Sequence, residues 1–149
     1  MNLKSRSVNI AWKIMMIPNL IMVPFGIIFM VIPDAILSNS YSLFSGQSWS
    51  TLSPKTVEFI LMTAGRMYGT YVMAMVILLF AITLKSFRKG ERWSWYTLLI
   101  AYTFGTTIHA TALLILGEMP IASLNIVFLL LVYIALGISA KDMLSTKST

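Results

Sequence analysis

Two polar side chains within otherwise apolar stretches of the sequence are the first candidates for chemistry. Arg66 lies eight positions after Glu58, and His109 lies nine positions before Glu118. At a rise of about 1.5 Å per residue, both lie roughly 12–13 Å from the ends of their helices. A guanidinium is suited to binding an anion, and an imidazole is suited to holding a proton. Their similar depth predicts a polar pocket for a molecule with an anionic or carbonyl head group.

Further polar side chains fall within about two helical turns of this level. The candidates for lining the pocket beside Arg66 and His109 are Tyr68, Tyr102, Thr106 and Asn125. A lipid or a quinone would fit such a site, and no resident cofactor is predicted. A purely structural interpretation stands beside this one. Arg66 would then form an ion pair, and His109 would donate one hydrogen bond between helices. The candidate ion-pair partners of Arg66 are Asp34, Glu58 and Glu118.

Residues for catalysis and for metal binding are scarce in this sequence. The chain has no cysteine and one histidine, which excludes thiolate sites and any site with several histidines from one chain. A Ser-His-acid triad would need a carboxylate beside His109, and the apolar stretches supply none. We therefore predict no catalytic residue and no metal ligand, and the sequence favours no turnover by the chain alone without deciding whether the chain is an enzyme.

Composition and spacing identify the elements that must position these side chains. Hydrophobic residues make up 58% of the chain and charged residues 11%, which is typical of a membrane protein. A helix needs about 20 apolar residues to cross a bilayer. The sequence predicts an all-α, four-transmembrane-helix bundle as one domain over 1–149. Its predicted helices cover 11–32, 57–84, 94–116 and 120–140, with an outer loop at 33–56 and a basic inner loop at 85–93.

The basic residues predict the orientation of the bundle. Nine of the eleven Lys and Arg residues fall at the two termini or in the loop at 85–93, and the other two are Lys55 and Arg66. The positive-inside rule then places both termini in the cytoplasm, in a multi-pass protein of the cell membrane. Anionic lipids account for the net charge of +6, so no nucleic-acid partner is predicted.

Small residues and the outer loop suggest how the chain packs. Gly65 and Gly69 lie four positions apart, a spacing that lets helices approach closely, and Gly105 has the same relation to Ala101. These faces could pack within the chain or against another subunit. The outer loop mixes serines with aromatic residues, which predicts an ordered segment with one short helical turn.

Several of these features together resemble the DoxX-like group of small four-helix membrane proteins. The residues that carry the resemblance are the segment 25–34, the Arg66-x-x-Gly69 motif, the basic turn before Trp93, and the glycines Gly105 and Gly117. The resemblance covers most of the chain and rests on layout as much as on residues. It implies a link to membrane redox systems, and it transfers no catalytic residue.

Two functions are consistent with the sequence. The first is an accessory or structural subunit that stabilises a larger membrane complex, such as an oxidoreductase or a monooxygenase. The missing catalytic set, the small-residue faces and the ordered outer loop favour it. The second is a stand-alone membrane protein that binds a lipid, a quinone or a similar molecule in an outer-leaflet pocket around Arg66 and His109. The predicted partners are membrane lipids and either other membrane subunits or further copies of this chain.

Overall fold

The regular structure of this protein is helical wherever it is described. The computed structural model describes residues 5–115 and 117–145, apart from the side chain of Phe44. This part of the chain contains no strand. A π-helix at Leu61–Met67 joins the third and fourth α-helices without a break. The α-helices are α1 Arg6–Val31, α2 Asp34–Ser45, α3 Pro54–Ile60, α4 Tyr68–Lys85, α5 Arg92–Ile115 and α6 Met119–Leu144.

Four helical stretches are long and apolar enough to cross a membrane. They are Arg6–Val31, Pro54–Lys89, Arg92–Ile115 and Met119–Leu144. The predicted helical class with four candidate spans is confirmed for the described residues. Two of these helices extend past their predicted bounds because the apolar criterion stops at the first charges, whereas a helix continues through Arg6 and Lys141. Leu116, Lys4 and Lys147, which the predictions used, lie outside the described residues.

The predicted outer loop contains more helix than we expected. α2 has 12 residues, about three turns, where the sequence predicted one short turn. Its serines do not break the helix, because Ser38, Ser42 and Ser45 each donate to the carbonyl four residues earlier. Gly46 then ends α2 in a left-handed conformation, with φ of 68°.

The described chain divides into two compact units. The first unit draws on residues up to Asn19 and from Leu78 onward. Its core is formed by one face of α6 together with apolar residues of α1, α5 and the turn at Phe87–Lys89. The buried members are Val8, Ala11, Met15, Phe87, Leu98, Tyr102, Val132, Ala135, Leu136 and Met143. The other α6 residues lie three, four and eleven positions after Val132, which places them on one side of the helix and gives the single apolar stripe that helix packing needs.

Polar contacts hold the elements of this first unit together. The indole Nε1 of Trp95 donates to the carbonyl of Leu136 at 3.0 Å, which ties α5 to α6. The guanidinium of Arg88 lies over the ring of Trp12, 4.9 Å from its centroid. This cation–π contact joins the basic turn to α1.

The second unit, Leu20–Ile77, is organised by glycines where helices cross. A Cβ added at Gly69 would lie 2.7 Å from the backbone nitrogen of Met30 and 2.9 Å from the carbonyl oxygen of Gly26. A Cβ added at Gly65 would lie 2.4 Å from Cβ of Pro33. At Gly69 the two helices therefore touch backbone to backbone, and at Gly65 the helix lies against the ring of Pro33; both approaches require a residue without a side chain.

Replacing Gly69 with Ala should lower stability, whereas Gly105→Ala should not. A Cβ at Gly69 meets backbone atoms that cannot move aside, but a Cβ at Gly105 meets no described heavy atom within 4 Å. We expect Gly69→Ala to destabilise by about 1–3 kcal/mol through overpacking. We expect Gly105→Ala to be neutral or to stabilise by up to about 1 kcal/mol, since Ala is the better helix former. Thermal unfolding of both variants in the same detergent measures this, and equal melting shifts would contradict the crossing.

Candidate ligand-binding groove

An open groove in the second unit collects the charged and apolar side chains around Arg66. Its volume is about 440 Å³, within the range of small-molecule sites. Six of the lining side chains are apolar, one is a serine and two carry opposite charges. The lining residues are Trp49, Ser50, Leu52, Pro54, Val57, Glu58, Leu61, Met62 and Arg66. An apolar groove with a few charged groups can hold an amphipathic molecule in one orientation.

α3 contributes Pro54, Val57 and Glu58 to the lining of the groove, and local sequence determines where that helix begins. Ser53 accepts a hydrogen bond from the backbone N–H of Thr56 at 3.2 Å, which caps the helix. Pro54 occupies the first turn, where its missing N–H costs nothing. Val57 and Glu58 follow in the same short helix, and Leu61 is the first residue of the π-helix that continues it.

The short segment before α3 supplies the aromatic wall. Trp49 lies in a 3-10 turn, Trp49–Thr51, that Ser48 caps. The ring of Trp49 packs edge-on against Tyr41 of α2, with the ring centroids 5.5 Å apart and an angle of 71° between their planes. α2 therefore holds this wall in place.

Arg66 lies in the π-helix that links α3 to α4. The wider turns of a π-helix change the direction of the side chains on either side of it, and such turns are frequent at functional sites. Nη1 of Arg66 donates to Sδ of Met62 at 3.3 Å, so the side chain points back toward the start of its helix. A thioether is a weak, uncharged acceptor, and this contact leaves most of the donor capacity of the guanidinium for other groups.

The predicted partners of Arg66 belong to different parts of the fold. Glu58 lines the same groove as Arg66. Asp34 is the first residue of α2, and its backbone carbonyl accepts from Ser38 at 2.6 Å. Glu118 directly precedes α6 in the first unit. The three ion pairs stay predictions, and the groove singles out Glu58 as the carboxylate to examine.

The other predicted ligand-binding residues divide between the two units. Tyr68 belongs to the second unit with Arg66, and its ring packs edge-on against Phe29 at 5.1 Å. The first unit contains Tyr102, Thr106, His109 and Asn125. Thr106 and His109 are half-buried, whereas Tyr102 and Asn125 are buried.

Two polar side-chain pairs lie in the first unit, one buried and one partly buried. The hydroxyl of Tyr102 donates to Oδ1 of Asn19 at 2.7 Å, and Nδ2 of Asn19 donates to the carbonyl of Met15 at 3.2 Å. The side chain of His109 is hydrogen-bonded to that of Asn125, whose Nδ2 donates to the carbonyl of Ile121 at 2.9 Å. These pairs satisfy the hydrogen-bonding groups of polar side chains inside the unit, and they do so by hydrogen bonds between helices.

Sequence reasoning missed several residues of the groove. Trp49, Leu52, Val57 and Met62 lie on its walls, yet their types alone are ordinary for an interfacial segment and an apolar helix. The spacing of Val57, Glu58, Leu61 and Met62 at one, three and four residues was a usable signal, since it places them on one side of a helix. Asn19, the buried partner of Tyr102, was signalled by its polarity within an apolar run.

Comparisons with known proteins assign this chain to no family. No protein-family model, no curated protein and no solved structure matches this chain.

Removing the hydroxyl of Tyr102 should destabilise the first unit, because it leaves Oδ1 of Asn19 buried with one bond fewer. We expect Tyr102→Phe to cost about 1–2 kcal/mol, near the upper end for bonds between membrane helices. Tyr133→Phe is the matched control, since its hydroxyl shares a 3.0 Å hydrogen bond with Thr103 at an exposed position. Chemical unfolding of both variants in mixed micelles is the measurement. A loss in Tyr133→Phe as large as that in Tyr102→Phe would refute the role of the buried pair.

Proposed function

We propose that this chain is an integral membrane protein whose four apolar helices cross the cell membrane, with both termini in the cytoplasm. The length and composition of the four candidate spans support insertion. Large apolar side chains are exposed along all of them, including Leu20 on α1, Ile77 on α4, Phe104 on α5 and Ile134 on α6. Such surfaces are stable against lipid and unstable against water. The basic turn at 85–92 supports the orientation.

The function that the geometry favours is binding of an amphipathic small molecule in the groove around Arg66. The observation that carries this proposal is one exposed guanidinium set among the apolar side chains of a candidate span. An arginine inside a membrane is unfavourable by about 2.5–3.5 kcal/mol, and an anionic ligand group at its side chain would offset that term. The apolar walls would receive the hydrocarbon part of the same molecule. His109 and Asn125 then serve the packing of the first unit.

An accessory role in a larger membrane complex is a second candidate function, favoured by a face of α5 whose large apolar side chains are exposed. Ile100, Phe104 and Ile108 are each more than half exposed, and they follow a four-residue spacing along one side of the helix. Gly105 lies beside them and would admit a close-packed partner helix. A DoxX-like relationship would agree with this role. A fixed set of larger subunits that co-purifies in gentle detergent would favour it over a stand-alone protein.

Neutralising Arg66 should weaken ligand binding while leaving the fold intact. The probe is phosphatidylglycerol, which carries a phosphodiester on apolar chains, titrated into the delipidated chain and followed by native mass spectrometry. Loss of hydrogen bonds to a charged group predicts about tenfold weaker binding for Arg66→Gln. Lys55→Gln is the matched control, because Lys55 is an exposed base of α3 that does not line the groove.

An unchanged melting temperature with the weakened binding identifies Arg66 as a ligand contact. Equal binding by Arg66→Gln and the wild-type chain would contradict the proposal. A variant that loses the fold together with binding would instead support a structural ion pair.

A further inference from the structure

We infer that the groove binds a phospholipid whose head group carries both a phosphate and an ammonium group. This inference rests on the proposed function and names its ligand class. It follows from the carboxylate of Glu58, the second charge of the groove. A carboxylate in a site for a purely anionic molecule would repel that molecule. Glu58 and Arg66 line the groove together, and they are its two charged residues within the part of the chain that the structure describes. The two charges match a head group that is itself neutral overall and carries both signs.

The order of the two charges along the helix matches the order of groups in such a lipid. Glu58 lies in the first turns of α3, near its cap at Ser53, and Arg66 lies eight residues further along the same helical stretch. In a bilayer leaflet the phosphate of a phospholipid lies between the terminal ammonium group and the acyl chains. A lipid in the groove would therefore place its ammonium at Glu58, its phosphate at Arg66 and its chains below.

The direction of the Arg66 side chain brings the two charges within reach of one head group. Glu58 and Arg66 are eight residues apart, which is at most about 12 Å along the axis, because that is the α-helical value and part of this stretch is a π-helix with a smaller rise. The guanidinium contacts Met62, one turn nearer to Glu58, so the side chain shortens that distance. The guanidinium would donate two hydrogen bonds to phosphate oxygens, and the ammonium would donate to the Glu58 carboxylate.

The aromatic wall adds a second element of ammonium recognition. Trp49 lines the groove with Glu58, and Tyr41 supports its ring from α2. An indole is the best aromatic partner for a cation, and the attraction is stronger away from bulk water. The apolar side chains of Val57, Leu61 and Met62 line the same groove and suit the glycerol and the first methylenes of the chains.

The test compares two lipids that differ only in the terminal group of the phosphodiester. Phosphatidylethanolamine carries an ammonium and phosphatidylglycerol carries a neutral polyol, both with the same acyl chains. Each is titrated into the delipidated full chain and followed by native mass spectrometry. Hydrogen bonds between charged groups predict that phosphatidylethanolamine binds about tenfold more tightly.

The Glu58→Gln variant then assigns that preference to its residue. We expect the preference to fall to about twofold or less in Glu58→Gln, because the ammonium loses its charged acceptor. Asp34→Asn is the matched control, since Asp34 is an exposed acid of the same unit that does not line the groove. It should keep the preference of the wild-type chain.

The possible outcomes separate this inference from the proposed function. Equal affinity for the two lipids in the wild-type chain would overturn the inference while leaving the proposed amphipath site in place. A preference that survives in Glu58→Gln, with or without a loss of stability, would also overturn it and would leave Glu58 as a structural residue. Failure of both lipids to bind the wild-type chain would overturn the inference and the proposed function together.

Discussion

The structure around Arg66 depends on one constraint, the position of a permanent positive charge within a helix that is otherwise apolar. A guanidinium cannot lose its proton in a protein, so its charge has to be solvated, paired or bound. In this chain the side chain leans toward the start of its helix, where its Nη1 donates a hydrogen bond to the sulfur of Met62. The guanidinium is exposed in the open groove, and we propose that an anionic group of the ligand binds to it there.

The neighbouring features of the second unit follow from that placement. Gly65, next to Arg66, is buried against Pro33 at a distance that excludes any side chain. Gly69 admits the backbone of α1 in the same way. With both glycines against other segments, Arg66 is left on the free side of the π-helix. The close crossing and the wide helical turn together determine where the charge faces.

Much of the helical architecture could be predicted from the sequence, because runs without charges of this length have one satisfactory backbone solution in lipid. The length of α2 could not be predicted, because the low helix propensity of serine argued against a helix here. In the structure Ser38 and Ser42 donate to the carbonyls four residues earlier and remain within the helix. The π-helix at Leu61–Met67 was not predicted either, because the charge and hydropathy pattern of this segment is that of an ordinary apolar helix. Arg66 lies within this π-helix.

The candidate site could be predicted in part. Arg66 was identified from the rarity of charge in apolar helices, and Glu58 was predicted as one of its three candidate ion-pair partners. The walls contributed by Trp49 and Leu52 depend on how a capped loop folds against α2, which composition does not encode. For His109 the sequence left tyrosine, threonine and asparagine as possible partners at one depth. In the structure the hydrogen-bond partner of His109 is Asn125, and this depends on how α5 and α6 are rotated about their axes.

The most direct test of the account is to identify what occupies the groove in a native membrane. The chain has no cysteine, so a single Met62→Cys substitution allows a benzophenone label to be placed in the groove, and Phe59→Cys places it on an exposed position outside the groove. Each labelled chain is purified in detergent until loosely held lipid is removed, irradiated, and weighed by mass spectrometry. If the groove binds a phospholipid as we propose, we expect a phospholipid adduct at Met62→Cys and none at Phe59→Cys. No adduct at either position, or equal adducts at both, would contradict it.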